Sequence, residues 1–234
     1  ALFAICTLVW LLLPDRRAHR PARCLANAAI AGAAMLLVLS PWLAHVHRVT
    51  GRYDLATESG YLLFVGNHPL TFSAYPEGSI DRSRDAIFAA EGPREQAELE
   101  RLGTDEAAAS DWFRARAFKA IAADPAAFLS RAAGKLWAAF GPLPSPRHGT
   151  LANLAYAAGW APFFGLALAG MWLMRRRWRE DGLLYLHFAT FSAVTAVFWA
   201  HTAHRSYLDA YVAVFAAIAL AAMLPARIKA ALGG

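Results

Sequence analysis

The sequence is short of charge. Only 17% of its 234 residues are Asp, Glu, Lys or Arg, while 58% are hydrophobic, against roughly 25% charged in a soluble domain. That deficit excludes one uniformly water-facing globule. Lysine is scarcer still, at three residues: Lys119, Lys135 and Lys229. There are two cysteines, Cys6 and Cys24, neither in the long polar central region, so no disulfide framework is implied. Metal-ligand spacing is missing as well. His201 and His204 stand at i, i+3, but no Asp, Glu or Cys accompanies them, so the spacing supports no divalent metal and no cofactor is expected. The first residue is not Met, and an apolar run reaches Pro14 after 13 residues, about 20 Å of helix against a bilayer core of roughly 30 Å. The run lacks a basic leader and a small-residue cleavage site, so no signal peptide is expected in it. It reads as the end of a truncated span, with the chain the C-terminal part of a larger protein.

What is present is charge in blocks. The net charge is +6, yet residues 45–150 hold 12 Arg/Lys and 13 Asp/Glu and are near neutral. The excess lies beside apolar segments: Arg16, Arg17, Arg20 and Arg23; Arg175, Arg176, Arg177 and Arg179; Arg227 and Lys229. Cytoplasmic loops of membrane proteins carry such blocks, and the placement argues against nucleic acid as a partner. Four full spans are expected, at residues 25–44, 154–174, 183–200 and 207–225. With the Arg blocks inside, residues 45–150 are extracytoplasmic and the C-terminus is cytoplasmic. The organisation that follows is a partial span, Arg loop and full span at 1–44, an external domain at 45–150, and three spans with a tail at 151–234. The chain is thus expected to be a multi-pass protein of the inner (plasma) membrane.

The external domain reads as helical. "GPREQAELERLG" is helix-compatible and bounded by Gly92-Pro93 and Gly103. Thr104 is the expected N-cap of a helix carrying Trp112, Phe113, Ala117, Phe118 and Ile121. Asp124-Pro125 reads as an N-cap followed by proline at the first helical position, starting a helix with Phe128, Ala132, Leu136 and Phe140 on one stripe. These two amphipathic helices fit a platform on the bilayer surface or packing on the domain's own core. Before them comes "GYLLFVGNHP". Residues 61–65 have the length and aromatic start of a short strand, and Gly66-Asn67-His68-Pro69 reads as a structural turn, with Gly66 or Asn67 at positive φ and Pro69 extending His68.

These pieces together resemble a known family. "SPW" at 40–42 followed by "TGRYDLATESGYLLFVGNHP" resembles the exit from a membrane span in bacterial GT-C glycosyltransferases of the dolichyl-phosphate-mannose and aminoarabinose-transferase type. Thr57, Gly60, Tyr61, Gly66, Asn67 and Pro69 fall in register. "FKAIAADPAAFLSRAAGKLWAAF" resembles the family's helix, proline, and helix with a lysine before an aromatic. "HRSYLDAYVAVFAAIALAA" resembles its last external loop and span. The departures are His45-Val46 for Arg-Asn, His68 for a second Asn, and Ser206 between Arg205 and Tyr207.

The resemblance implies an all-α, GT-C-like polytopic fold, N-terminally truncated, with a helix-rich extracytoplasmic domain. It implies an inverting enzyme that moves a sugar from a polyprenyl-phosphate carrier to a glycan, lipid or protein acceptor. The family's catalytic acid lies in a first external loop outside this chain, so no catalytic residue is expected here. Lys135, His204, Arg205 and Tyr207 are the expected substrate-binding residues. Each has a plainer reading. Lys135 stands seven residues after Phe128, within about 20° of the apolar stripe, and could snorkel to headgroups. Arg205 could pair with Asp209 at i, i+4; His204 and Tyr207 could be interfacial anchors. Competing functions are a lipid-linked oligosaccharide polymerase or ligase, and a non-catalytic membrane scaffold or transporter.

Overall fold

The computed structural model describes residues 2–13, 21–56, 58–178, 180–198 and 205–224, without the side chains of residues 80 and 94. Every regular element among them is helical: α1 (Leu2–Leu12), α2 (Pro21–Thr50), α3 (Ser59–Asn67), α4 (Ser83–Leu102), α5 (Glu106–Ala123), α6 (Pro125–Phe140), α7 (Thr150–Met174), α8 (Gly182–Val197) and α9 (Ser206–Met223), with 3₁₀ turns at Ile80–Arg82 and Arg175–Arg177.

Three helices are long and apolar enough to cross a membrane: α2, α7 with its 3₁₀ extension, and α9. Helix α2 leaves Ile30, Leu36, Leu37 and Val38 more than 60% exposed, a face that water would not tolerate over such a length. Of the segment expected to cross at 183–200, residues 183–197 lie in α8, which has 16 residues and rises about 24 Å. It and α1 are shorter apolar helices.

Residues 61–65 are not a strand. They form the middle of α3, with Leu63, Phe64 and Val65 buried. A short run that is apolar on every side gives no period to separate helix from strand, and here burial against α5 and α4 decides. Leu63, Phe64, Val65, Ile87, Phe113 and Ala117 make one core. A second core, Trp160, Ala167, Val212, Phe215 and Ala216, joins α7 to α9. Gly170 lets these two helices touch, since a Cβ there would lie 1.8 Å from the Phe215 carbonyl oxygen.

The remaining local differences have local causes. Helix α4 runs through Gly92-Pro93 instead of starting there. The N-cap of α5 is Asp105, not Thr104, and its carboxylate accepts from the Ala108 N–H at 2.9 Å. Asp124 caps α6 as the spacing predicts, accepting from the Ala127 N–H at 2.9 Å with Pro125 next. Gly66 and Asn67 close α3 in helical conformation, and His68 is its extended C-cap. Among the described residues only Gly51 and Gly103 have positive φ. The turn is therefore a helix end, and Pro69 keeps α3 from continuing.

Candidate functional site

Two of the four candidate binding residues, Lys135 and Arg205, sit where helices end. The last carbonyls of an α-helix have no intrahelical donor and carry the negative end of the dipole. Two such ends, those of α3 and α8, point at α6. The Gly66 position allows this approach, because a Cβ there would stand 1.6 Å from the Phe198 carbonyl oxygen. Asn67 ties the ends together: its Nδ2 donates to Leu63 O and to Val197 O, both at 2.8 Å. Lys135 completes the junction from α6. Its Nζ donates to Gly66 O at 3.0 Å, to Val197 O at 2.9 Å and to Asn67 Oδ1 at 3.4 Å. The side chain is fully buried, so it does not snorkel, and its three donors are spent inside the protein. Burial, with Arg131 nearby, pushes the amine's pKa down to about 7, while three acceptors, which only an ammonium serves in full, oppose that shift.

Arg205 does the same for α6. It precedes α9, is 6% exposed, and its Nη1 donates to Ala139 O at 3.1 Å. Trp160 Nε1 donates to Phe140 O at 3.0 Å, and the guanidinium lies 3.3 Å from the Trp160 ring centroid and 5.3 Å from that of Tyr156. Asp209 Oδ1 is 3.6 Å from Nε, and Nε has no hydrogen-bond partner. Lys135 and the acceptor of Arg205 are one turn apart on α6, so the structure brings both cations to a single helix. Tyr207 is elsewhere, 70% exposed, with its ring tilted against Phe191. His204 and Thr57 lie outside the described residues.

Beside this helix is an apolar groove of about 620 Å³ between α6, α7 and α8. Leu136, Phe140, Trp160, Phe164, Leu168 and Phe188 are among its walls. Trp160 belongs to both features: one part lines the groove and its ring lies under Arg205.

A polar cluster went unnoticed in the sequence. Arg116 Nη2 donates to Glu91 Oε2 at 2.6 Å, and its Nη1 lies 3.5 Å from Glu95 Oε1. The guanidinium is sandwiched at 4.5 Å from Phe64 and 4.6 Å from Trp112. His68 Nε2 is 3.8 Å from Glu91 Oε1, and its Nδ1 accepts from the Leu70 N–H at 3.1 Å. Burial lowers the His68 pKa and raises that of Glu95; the hydrogen bond from Arg116 lowers that of Glu91. The signal was the spacing of Glu91 with Glu95 and of Trp112 with Arg116, each one helical turn. Among the described residues no three of His, Cys, Asp and Glu are placed to hold a metal.

No protein-family model, curated protein or solved structure matches the chain.

Proposed function

We propose that this chain is the C-terminal portion of an integral-membrane glycosyltransferase that moves a sugar from a polyprenyl-phosphate carrier to an acceptor at the extracytoplasmic face. The observation that carries the reading is the groove at α6–α8, walled by aliphatic and aromatic side chains and sharing Trp160 with the buried Arg205. An isoprenoid chain needs an apolar groove, and its phosphate needs a cation at one end. The motif order from Pro41-Trp42 to Arg205 adds the resemblance described above.

In the reaction the acceptor hydroxyl oxygen attacks the anomeric carbon. Its proton passes to an acidic base supplied outside this chain, and the bond to the phosphate oxygen breaks with inversion. The leaving polyprenyl phosphate carries the negative charge, which a preorganised cation stabilises. Lys135 has its three donors engaged, so this role falls to Arg205, whose Nε keeps an unused donor.

Gly165 lines the groove, and a Cβ there meets nothing within 4 Å. A Gly165→Leu change therefore fills the groove without a backbone clash. Binding of polyprenyl phosphate to the chain in nanodiscs is expected to weaken at least about tenfold, a loss of about 1.4 kcal/mol. Gly159→Leu, equally free of clashes but away from the groove, should bind as before. Equal binding by both variants removes the groove from the carrier site.

A further inference from the structure

A second cavity, of about 380 Å³, lies between α1 and the first half of α8 and shares no lining residue with the groove at α6. Val9, Trp10 and Leu13 on the α1 side and Gly182, Leu186 and Ala189 of α8 wall it, and Trp178, between the Arg175–Arg177 turn and α8, joins them. Helix α1 comes this close because α8 begins with glycine: a Cβ at Gly182 would stand 2.3 Å from Trp10 Nε1. Val9 and Leu13 are about half exposed, so the cavity is open at its side. Beside it runs a column of aromatic and basic groups. The Arg175 guanidinium lies 3.9 Å from the Trp172 ring centroid, and its Nη1 donates to Trp172 O at 2.6 Å. In a 3₁₀ turn residues three apart eclipse, which puts Arg175 on the same side as Trp178. Arg177 is shared with Glu180 at 2.9 Å and Asp181 at 3.6 Å. Arg175 and Arg176 are exposed and pair with no carboxylate among the described residues.

We propose that this cavity holds one acyl chain of an anionic phospholipid, with the lipid phosphate at Arg175 and Arg176. The walls are apolar, and the occupant must be slender. A helix with its side chains is roughly 10–12 Å across, so a space of this size would hold about one turn of it; a hydrocarbon tail is narrower and fits lengthwise. Two guanidinia unopposed by carboxylates favour a headgroup of net negative charge over a zwitterionic one, and the planar fork of arginine matches a phosphate. The Trp172 stack holds one of those forks in place, and tryptophans such as Trp172 and Trp178 favour the headgroup level. The Arg-block topology would put the lipid in the inner leaflet, opposite the proposed carrier groove. The site itself needs neither that topology nor the transferase reading.

The test uses the whole chain in non-ionic detergent, with phosphatidylglycerol and phosphatidylcholine of equal chain length as probes and native mass spectrometry to measure retained lipid. A Cys24→Ser background leaves Cys6, which lines the cavity, as the sole thiol. Phosphatidylglycerol is expected to bind at least about fivefold more tightly than phosphatidylcholine and to slow methanethiosulfonate modification of Cys6. Arg175→Gln should weaken phosphatidylglycerol about fivefold and leave phosphatidylcholine unchanged. Ala189→Phe, at an exposed position on the cavity wall, should abolish the protection of Cys6. Equal retention of the two lipids, Cys6 reactivity untouched by phosphatidylglycerol, or unchanged binding in Arg175→Gln would each overturn the proposal. So would equal protection of Cys6 by polyprenyl phosphate, which would make the cavity a second carrier groove. If Ala189→Phe lowers the melting temperature, the exposed Arg175→Gln variant and the Cys6 protection decide without it.

Discussion

The pH dependence of stability at Lys135 tests the junction of helix ends directly. The residue lies on α6, outside the candidate membrane spans. Its amine has a pKa near 7 in the folded protein against 10.5 for the free side chain. Between these values the unfolded chain binds more protons than the folded one, so stability must rise with pH across that window. The slope for one group is at most about 1.4 kcal/mol per pH unit, or about 4 kcal/mol from pH 7 to pH 10. The three acceptors around Nζ hold on to the proton and make this an upper bound.

Lys135→Met removes both the charge and the hydrogen bonds. At pH 7 it relieves a desolvation cost of a few kcal/mol. It leaves Gly66 O without the Lys135 donor, at about 1–3 kcal/mol, while Val197 O keeps Asn67 Nδ2. The variant is therefore expected to match or slightly exceed the wild type at pH 7. At pH 10 the neutral amine of the wild type still donates two hydrogen bonds, and the variant should be less stable. The two stability curves cross. Tryptophan fluorescence of denaturant unfolding in mixed micelles, from pH 6.5 to pH 10, gives both curves. Parallel curves would refute the reasoning, since the pH-dependent term would then belong to another group.

Arg205→Lys should destabilise the protein by about 1–3 kcal/mol, because a lysine loses the stack on Trp160 and the planar donor to Ala139 O; Asp209→Asn, at a half-exposed carboxylate 3.6 Å away, should change stability by less than about 1 kcal/mol. Equal losses in the two variants would make the ion pair the main role of Arg205. Glu95→Gln should be neutral or stabilising, because burial raises the pKa of a carboxylate whose oxygens lack hydrogen bonds. The wild type should lose stability as pH rises above the ordinary glutamate range, the variant should not, and a drop of more than about 2 kcal/mol in thermal unfolding of the variant would show a needed charge. Reporter fusions at Gly103 and Gly182 should report opposite sides of the membrane, on the Arg-block asymmetry; the same side for both would sink the topology.

Much of the architecture was legible because membrane crossing depends on local composition. The apolar windows at 25–44 and 154–174 fall inside α2 and α7, and α9 (Ser206–Met223) occupies most of the window at 207–225. The Asp124-Pro125 start of α6 was legible too, being a two-residue signal. α3 was not, since "YLLFV" is apolar at every position and its helix is chosen by packing on α5. Lys135 was half legible. Its place on the apolar stripe follows from seven-residue spacing, but its partners lie 62 to 69 residues away in sequence, and no local pattern announces them. Asn67 likewise reads as a turn residue until Val197 is beside it. The Glu91–Arg116 pair spans two helices, and its one-turn spacings are common on solvated helix faces.

The bonds that gather at α6 also set an order of assembly. Those from Lys135 reach back to Gly66 and forward to Val197, and Ala139 waits for Arg205. A ribosome releases the chain from the N-terminus, so domains close in that order where they can. The buried residues of the α3–α5 core are all present once α5 has emerged, and Val197 and Phe198 pack against it later. Helix α6 must wait: until α8 is in place, the Lys135 amine has two of its three acceptors, and the last carbonyls of α6 have no guanidinium. The nascent chain must therefore carry an unfinished, cation-bearing helix through the synthesis of α7 and α8. Closure arrives only with the start of α9, so a polypeptide stopped short of Arg205 would hold a formed first core beside an α6 with nothing to seal its end.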